Sequence, residues 1–477
     1  MKHLKDLTNK KKLQLVLKSV LALIVASILL FFSIEFISNY LVRFNLKALE
    51  APNQNSRVIV FAPHNDDEAL GCAELIKKTL KNGGQVKVVF TTNGDGFKNA
   101  IQFDYYNLNP KPTDFIKFGY TRQQESITAL ETLGVSRDNI IFLGYPDGGI
   151  SHLWNSNWDD TNPYVSAFTK VNKTPYNNSF TNGVTYTGEN LALDYTKILE
   201  AYQPTCVVMP HPNDNHPDHH ATNEFVKYTL QTMNYKPDQE LLYLVHRGDW
   251  PTPMTPNTSL YLVPPYKLIN TGTTWSALNL DAADIAEKAS ILKLYKTQTR
   301  TLGRLMSAFE RQNEMFGEYD DLKLVSNKRS DGDIKADSSN LVIIDPVKDT
   351  ITLDISNSAD ISQINVERSI EDNVHLFLKI NSNVEQDTTY SFNLILFNKG
   401  NAKRLTIEQL NGRLQAKYIS KHSIMTIKDV TSDVNGKVIH LVIPKAVTGD
   451  YESIFMNGTT SIGSKIVDVT SGRVLEQ

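Results

Sequence analysis

Cysteine is nearly missing from this 477-residue chain: Cys72 and Cys206 are the only two. Thiols so few and so far apart exclude a disulfide framework and a Cys-based zinc site. They read as two buried free thiols, with one bridge as the alternative. An excess of one charge is missing too. Against 52 acidic side chains stand 49 basic ones, for a net charge of -3, so no global basic field exists and nucleic acid is excluded as a partner. Tryptophan numbers only four, and none lies in the C-terminal third. No internal repeat is visible.

At this length, with 41% apolar residues, the chain can build two domains and an appendage. The appendage is at the N-terminus, where Lys2, Lys5, Lys10, Lys11, Lys12 and Lys18 precede the apolar run SVLALIVASILLFFSI from Ser19 to Ile34. The run continues to Val42 before Arg43, long enough to cross a bilayer core of ~30 Å as a helix. It predicts a cytoplasmic basic segment over 1–18 and a transmembrane helix over 19–42. The rest of the chain would then lie outside the cell membrane as a single-pass protein. A cleaved signal peptide is the alternative, weakened by the length of the run and the lack of an Ala-x-Ala site.

Beyond a polar connector, runs apolar on both faces alternate with helical patterns. Strands are predicted over 57–62, 86–91, 139–143 and 205–209, and helices over 68–82, 121–133 and 191–201. That alternation indicates an α/β domain with a Rossmann-like, mostly parallel sheet flanked by helices, spanning 57–320. Between Ser151 and Asn190 it breaks into a polar loop carrying Trp154, Trp158, Tyr164, Tyr176, Phe180 and Tyr186. A loop this long is functional or disordered; its rings either stack on sugars or pack the loop onto its own domain. Two more helices are predicted over 281–297 and 301–316. Residues 326–340 read as a polar linker. From 341 to 477 the apolar period becomes two, as in Val374 to Leu378 and Val438 to Ile443, and Asn435-Gly436 gives a hairpin signal. This tail is predicted to be an all-β, sandwich-like accessory domain.

The chemistry is concentrated in His64-Asn65-Asp66-Asp67-Glu68 and in the stretch from Pro210 to His220, which holds four of the eleven histidines. Alone, the first segment could be chain punctuation, since Asn, Asp and Glu favour turns and helix starts. Both, however, follow predicted strands, and open α/β sheets place ligand sites at the carboxyl ends of their strands. Together they offer N/O ligands for a zinc site with carboxylates and imidazoles to spare.

These motifs resemble those of the PIG-L/LmbE-like N-acetylglucosaminyl deacetylases. The resemblance runs from about Arg57 to Phe316 and includes Thr91-Thr-Asn-Gly94, Arg122-x-x-Glu125 and Leu143-Gly-Tyr-Pro-Asp147-Gly148. It leaves the apolar N-terminal run and the β-rich tail outside, and departs from the family pattern at Asn65, where proline usually stands. It implies Zn2+ held by His64, Asp67 and His219, Asp66 as general base, and His216 as the group that stabilises the oxyanion and protonates the leaving amine. Asp218 is expected to orient a histidine, and Asp95 and Arg122 to line the sugar site; for Arg122 a salt bridge to Glu125 carries equal weight. Glu68 reads as a helix-start residue. His220 starts the next helix, His211 borders the site, and His246 is either structural or reaches the crevice, the structural role carrying more weight.

The function this implies is zinc-dependent hydrolysis of the acetamido group of an N-acetylglucosamine-type sugar, in an extracytoplasmic glycan or glycoconjugate. A silent glycan-binding surface protein and a zinc amidohydrolase of a non-sugar amide are the alternatives.

Overall fold

The computed structural model describes residues 12, 14, 16–27, 30, 39–43, 45–248, 250–346, 349, 357–420 and 423–477. Part of the expected membrane span 19–42 therefore lies outside the described residues, as does the segment 1–11. Residues 16–27 are helical with exposed apolar side chains such as Leu17, Leu21 and Leu23. Among the described residues no helix is long and apolar enough to cross a membrane.

The mixed α/β domain is built on one eight-stranded sheet. Its strands are β1 (Lys47–Ala48), β2 (Arg57–Ala62), β3 (Gln85–Thr92), β4 (Ile140–Tyr145), β5 (Cys206–Pro210), β6 (Gln239–Tyr243), β7 (Thr274–Asn279) and β8 (Asn313–Glu318). Their spatial order is β1-β7-β8-β6-β5-β2-β3-β4. Strands β6, β5, β2, β3 and β4 are parallel, and β8 runs antiparallel to β6 and β7. Val58, Val60 and Ala62 of β2 pack on one face while Ile59 and Phe61 pack on the other. Burial on both faces accounts for the unbroken apolar run.

Helices cover both faces: α1 (Asp67–Lys81), α2 (Lys98–Asp104), α3 (Pro112–Thr132), α4 (Ile150–Asn155), α5 (Gly188–Tyr202), α6 (Pro217–Thr232), α7 (Ala282–Leu292) and α8 (Lys296–Ser307). Several boundaries differ from expectation, two of them by most of an element. Helix α3 begins at Pro112, whose fixed φ and missing N–H suit a first helical turn. The stretch expected as a helix to Phe316 ends at Ser307, and β8 follows. Glu314 makes this strand possible in a buried setting: its carboxylate accepts from the amides of Glu74 and Leu75 at 2.9 Å and pairs with Lys288 at 2.7 Å. Both cysteines are buried and unbridged.

The C-terminal region is mostly β, in two sheets that enclose one core. Strand Thr388–Asn398 shows the design of this domain. Phe392, Leu394 and Leu396 point into the sandwich core, while Ile395 and Phe397 join the core of the α/β domain. Strand Ser453–Ile462 divides in the same way, with Met456 inward and Phe455 toward the α/β domain. The β-domain is thus sealed onto the α/β domain by an apolar face. Residues 326–340, polar as they are, lie along the sandwich: Arg329 pairs with Glu367, and Asn340 donates to Glu367 at 2.9 Å.

The aromatic loop belongs to the same seam. Trp154 is buried edge-on against Phe225, Tyr228 and Phe455, and Trp158 stacks on Phe225. Arg404 of the β-domain lies over both indoles and donates to the Trp154 carbonyl at 2.6 Å. These two rings pack the loop between domains.

Candidate active site and metal centre

Strands β2 and β5 are neighbours, with Val58 opposite Cys206 and Val60 opposite Val208. From β2 the chain proceeds outward to β3 and β4, and from β5 in the other direction to β6. Strand order reverses between them, which opens a crevice at their carboxyl ends. His64 follows β2 and the segment 211–219 follows β5, so both histidine-rich segments enter the same crevice.

His64, Asp67, His219 and His246 present donor atoms that all lie within 4.8 Å of one another. Asp67 Oδ2 is 3.3 Å from His64 Nδ1 and 3.0 Å from His219 Nε2, and it also accepts from the His64 backbone amide at 2.9 Å. Asp67 Oδ1 is buried without a hydrogen-bond partner, with His246 Nε2 3.6 Å away. Burial disfavours charge on His64 and His219, yet the surrounding carboxylates prevail: His64 is raised well above its ordinary pKa, and His219 is held up at about 9 by Asp214 and Asp67. The facing nitrogens, His64 Nδ1 and His219 Nε2, are 3.3 Å apart, where two N–H groups would oppose each other. Their lone pairs, with the unpartnered Asp67 Oδ1, would suit a divalent cation, so the donor set fits a metal of zinc's ligand preferences.

The far sides of the imidazoles meet carboxylates, the arrangement that orients metal-binding histidines. His64 Nε2 lies 3.3 Å from both Asp147 and Asp218, and His219 Nδ1 lies 3.2 Å from Asp214 Oδ2. Asp218 is fixed by amides of the β4–α4 turn, from Gly148 at 2.7 Å and Ile150 at 3.0 Å. Asp214 accepts from the amides of His216, Val245 and His246.

His216 caps α6, and Pro217 occupies its first turn. Its Nδ1 accepts from the Asp218 amide at 3.2 Å, which leaves the proton on Nε2. Burial and the neighbouring His64 push its pKa down to about 3, so the ring is neutral. Asp66 stands before α1 with φ at 155°, a conformation that nonglycine residues adopt at a cost and that recurs at functional sites. Its amide donates to Glu68 Oε2 at 3.1 Å, and Glu68 Oε1 accepts from Tyr295. Burial raises Asp66 to about 6, with Arg122 opposing.

Residues 59–230 match the model of the PIG-L family, described as GlcNAc-PI de-N-acetylase. The chain carries a PIG-L domain. With it, the chain is a hydrolase acting on N-acetyl amides. No curated protein sequence matches the chain. Similar solved structures include a deacetylase of the teicoplanin biosynthesis pathway, 15% identical, covering 55% of this chain and 97% of that one with a TM-score of 0.35. The N,N'-diacetylchitobiose deacetylase from Pyrococcus horikoshii is 17% identical over 58% of this chain and 89% of its own, with a TM-score of 0.35. A conserved protein from Thermus thermophilus is 17% identical over 53% and 84%, with a TM-score of 0.31.

Two placements, those of His246 and Arg122, differ from the sequence reading. His246 joins the cluster of candidate metal donors rather than serving the fold alone, because Asp214 holds its backbone at the end of β6, next to β5. Arg122 turns away from Glu125, which accepts from Thr297 instead; its guanidinium is buried and lies 3.3 Å from Asp66. Glu68, at the helix start, is also buried and supports the Asp66 amide. Asp95 is buried with Oδ2 accepting from Tyr176 at 2.6 Å and Oδ1 unpartnered. His211, buried and stacked on Trp275, bonds Thr273 at 3.0 Å. His220 lies in the first turn of α6 and reaches the β-domain at the Thr470 carbonyl, 3.2 Å away. Asp214 was not singled out from the sequence. Its signal was there, in a carboxylate five residues before His219 on a strand-end loop.

Proposed function

We propose that the chain is a zinc-dependent N-deacetylase that hydrolyses the acetamido group of N-acetylglucosamine-type sugars in an extracytoplasmic glycan or glycoconjugate. The observation that carries this reading is the convergence of His64, Asp67 and His219 beside the buried carboxyl of Asp66 in a PIG-L domain. His64, Asp67 and His219 would hold the ion, with His246 as a further donor. A bound zinc supplies Lewis acidity, lowering the pKa of water and polarising the amide carbonyl.

Asp66 takes the proton from the attacking water. A carboxyl at about 6 is ionised enough to accept near neutral pH and acidic enough to return the proton. His216 keeps its Nε2 proton because Nδ1 is occupied by the Asp218 amide, so it acts as a hydrogen-bond donor to the oxyanion. When the C–N bond breaks, the leaving nitrogen receives one proton. Asp66 has just gained one and His216 Nε2 holds one, and whichever supplies it, the proton taken from water restores the pair. Water has then been divided between acetate and amine.

Arg122 orients Asp66, and Asp214 and Asp218 orient the imidazoles. Asp95 lies beside this group and would touch the sugar through its unpartnered oxygen. The exposed apolar side chains of the helix over 16–27, and the lysines before it, support an anchor in the cell membrane with the hydrolase outside.

The test is acetate release from N-acetylglucosamine oligomers by the full chain, with its metal content measured. About one zinc and stoichiometric amine are expected; full activity after metal removal would refute the mechanism.

A further inference from the structure

Next to the metal centre a cavity of about 530 Å³ opens between the PIG-L domain and the β-domain. His216 and His152 line one wall, and Thr459, Ser464 and Ile466 of the β-domain line the other. We propose that this cleft binds the sugars flanking the one that is deacetylated, so that the substrate is a chain of N-acetylated sugars held partly by the β-domain. The inference rests on the deacetylase reading above and extends it to the form of the substrate.

Continuity is the first argument. His216 belongs to the cleft and to the catalytic centre, its ring centroid 4.6 Å from that of His64. A glycan placed with its acetamido group at the metal centre therefore has this space beside it, and a volume within the roughly 300–1,000 Å³ of ligand pockets exceeds the need of a single ring. Position is the second. The β-domain is fixed to α6, the helix that begins with His216, through Ser453 to Gln231 at 2.7 Å, His220 to the Thr470 carbonyl at 3.2 Å, and Asn457 to Glu224. The second wall therefore stands at a set distance from the reacting atoms.

Chemistry is the third. Hydroxyls of Thr459 and Ser464 and the amide of Asn155 line the cleft together with Ile466, an apolar side chain that is 40% exposed. Sugar rings present both hydroxyls and apolar C–H faces, so such a wall suits them. The residues of this second wall fall outside the matched span 59–230.

The experiment measures acetate release by the full chain from N-acetylglucosamine and its oligomers up to the hexamer. The wild type is expected to gain roughly tenfold or more in kcat/KM from monomer to hexamer. Ile466→Trp and Ser464→Trp, both at exposed positions, are expected to bring the hexamer-to-monomer ratio close to one, with the loss in KM. A ratio independent of length in the wild type, or a ratio unchanged in both variants with unaltered Tm, overturns the cleft assignment alone. No acetate from any sugar, monomer included, overturns the deacetylase reading beneath it.

Discussion

The guanidinium of Arg122 lies 3.3 Å from the carboxylate of Asp66, and its remaining bonds go to the carbonyls of Asn65 at 2.7 Å and Gly94 at 2.8 Å. One buried cation thus ties the loop after β2, the loop after β3 and the proposed base together. Gly94 makes room for it: φ there is 57°, and a Cβ would fall 1.8 Å from Arg122 Nη1.

Arg122→Lys keeps a charge and loses the fork that spans both carbonyls. Its kcat is expected to fall roughly 10- to 100-fold, the usual effect of removing a partner that orients a metal-site group, with zinc content retained. Gly94→Ala should produce the same loss by displacing the guanidinium. Steady-state kinetics with metal analysis checks both; unaltered kcat in either would mean that Asp66 needs no such support.

His246 offers a donor to the metal cluster 3.6 Å from Asp67 Oδ1. His246→Ala is expected to weaken zinc binding, read by competition with a chromophoric chelator, and Asp214→Asn should weaken it by roughly 10- to 100-fold through the orientation of His219 and His246. Wild-type affinity in His246→Ala would return this histidine to a structural role.

Glu224 links α6 to the β-domain, and burial pushes its carboxyl from 4.5 up to about 8, against the opposing pull of Arg404 and the bond from Asn457. Between those two values the folded chain holds a proton that the unfolded chain has released. Its contribution to stability therefore falls as pH rises through that window. Glu224→Gln should flatten the decline, seen as a smaller difference in denaturant midpoint between pH 5 and pH 8.5 than in the wild type.

Arg404 covers Trp154 and Trp158 at 4.5 and 4.0 Å from the ring centroids. Arg404→Ala removes a partly desolvated cation–π contact of about 2 kcal/mol and a bond to the Trp154 carbonyl. A lowered Tm is expected, with loosened protection of α6 amides in hydrogen exchange.

Residues whose chemistry depends on local order were legible before the fold was known. Apolar runs marked β2 and β5, and the motifs directly after them carried His64, Asp67 and His219 into one crevice, because strand ends in a parallel sheet share a side. His246 was not legible in this way; its position depends on Asp214 binding its backbone from another loop. Trp154 and Trp158 could serve sugar or seam equally by composition, and only the docked β-domain decides between them. The polar stretch 326–340 read as a linker because its partners, such as Glu367, are distant in sequence. For β8, the helix expected over 301–316 concealed a strand whose buried Glu314 is compensated by Lys288 and two amides.

The central claim is that Asp66 is the base of a metal-dependent deacetylation and not a metal ligand. Asp66→Asn in the full chain, assayed for zinc content and for acetate release from N-acetylglucosamine oligomers, tests it most directly. The account predicts wild-type zinc content with activity reduced by a factor of about 10² or more. Full activity with zinc bound, or loss of the zinc itself, would contradict it.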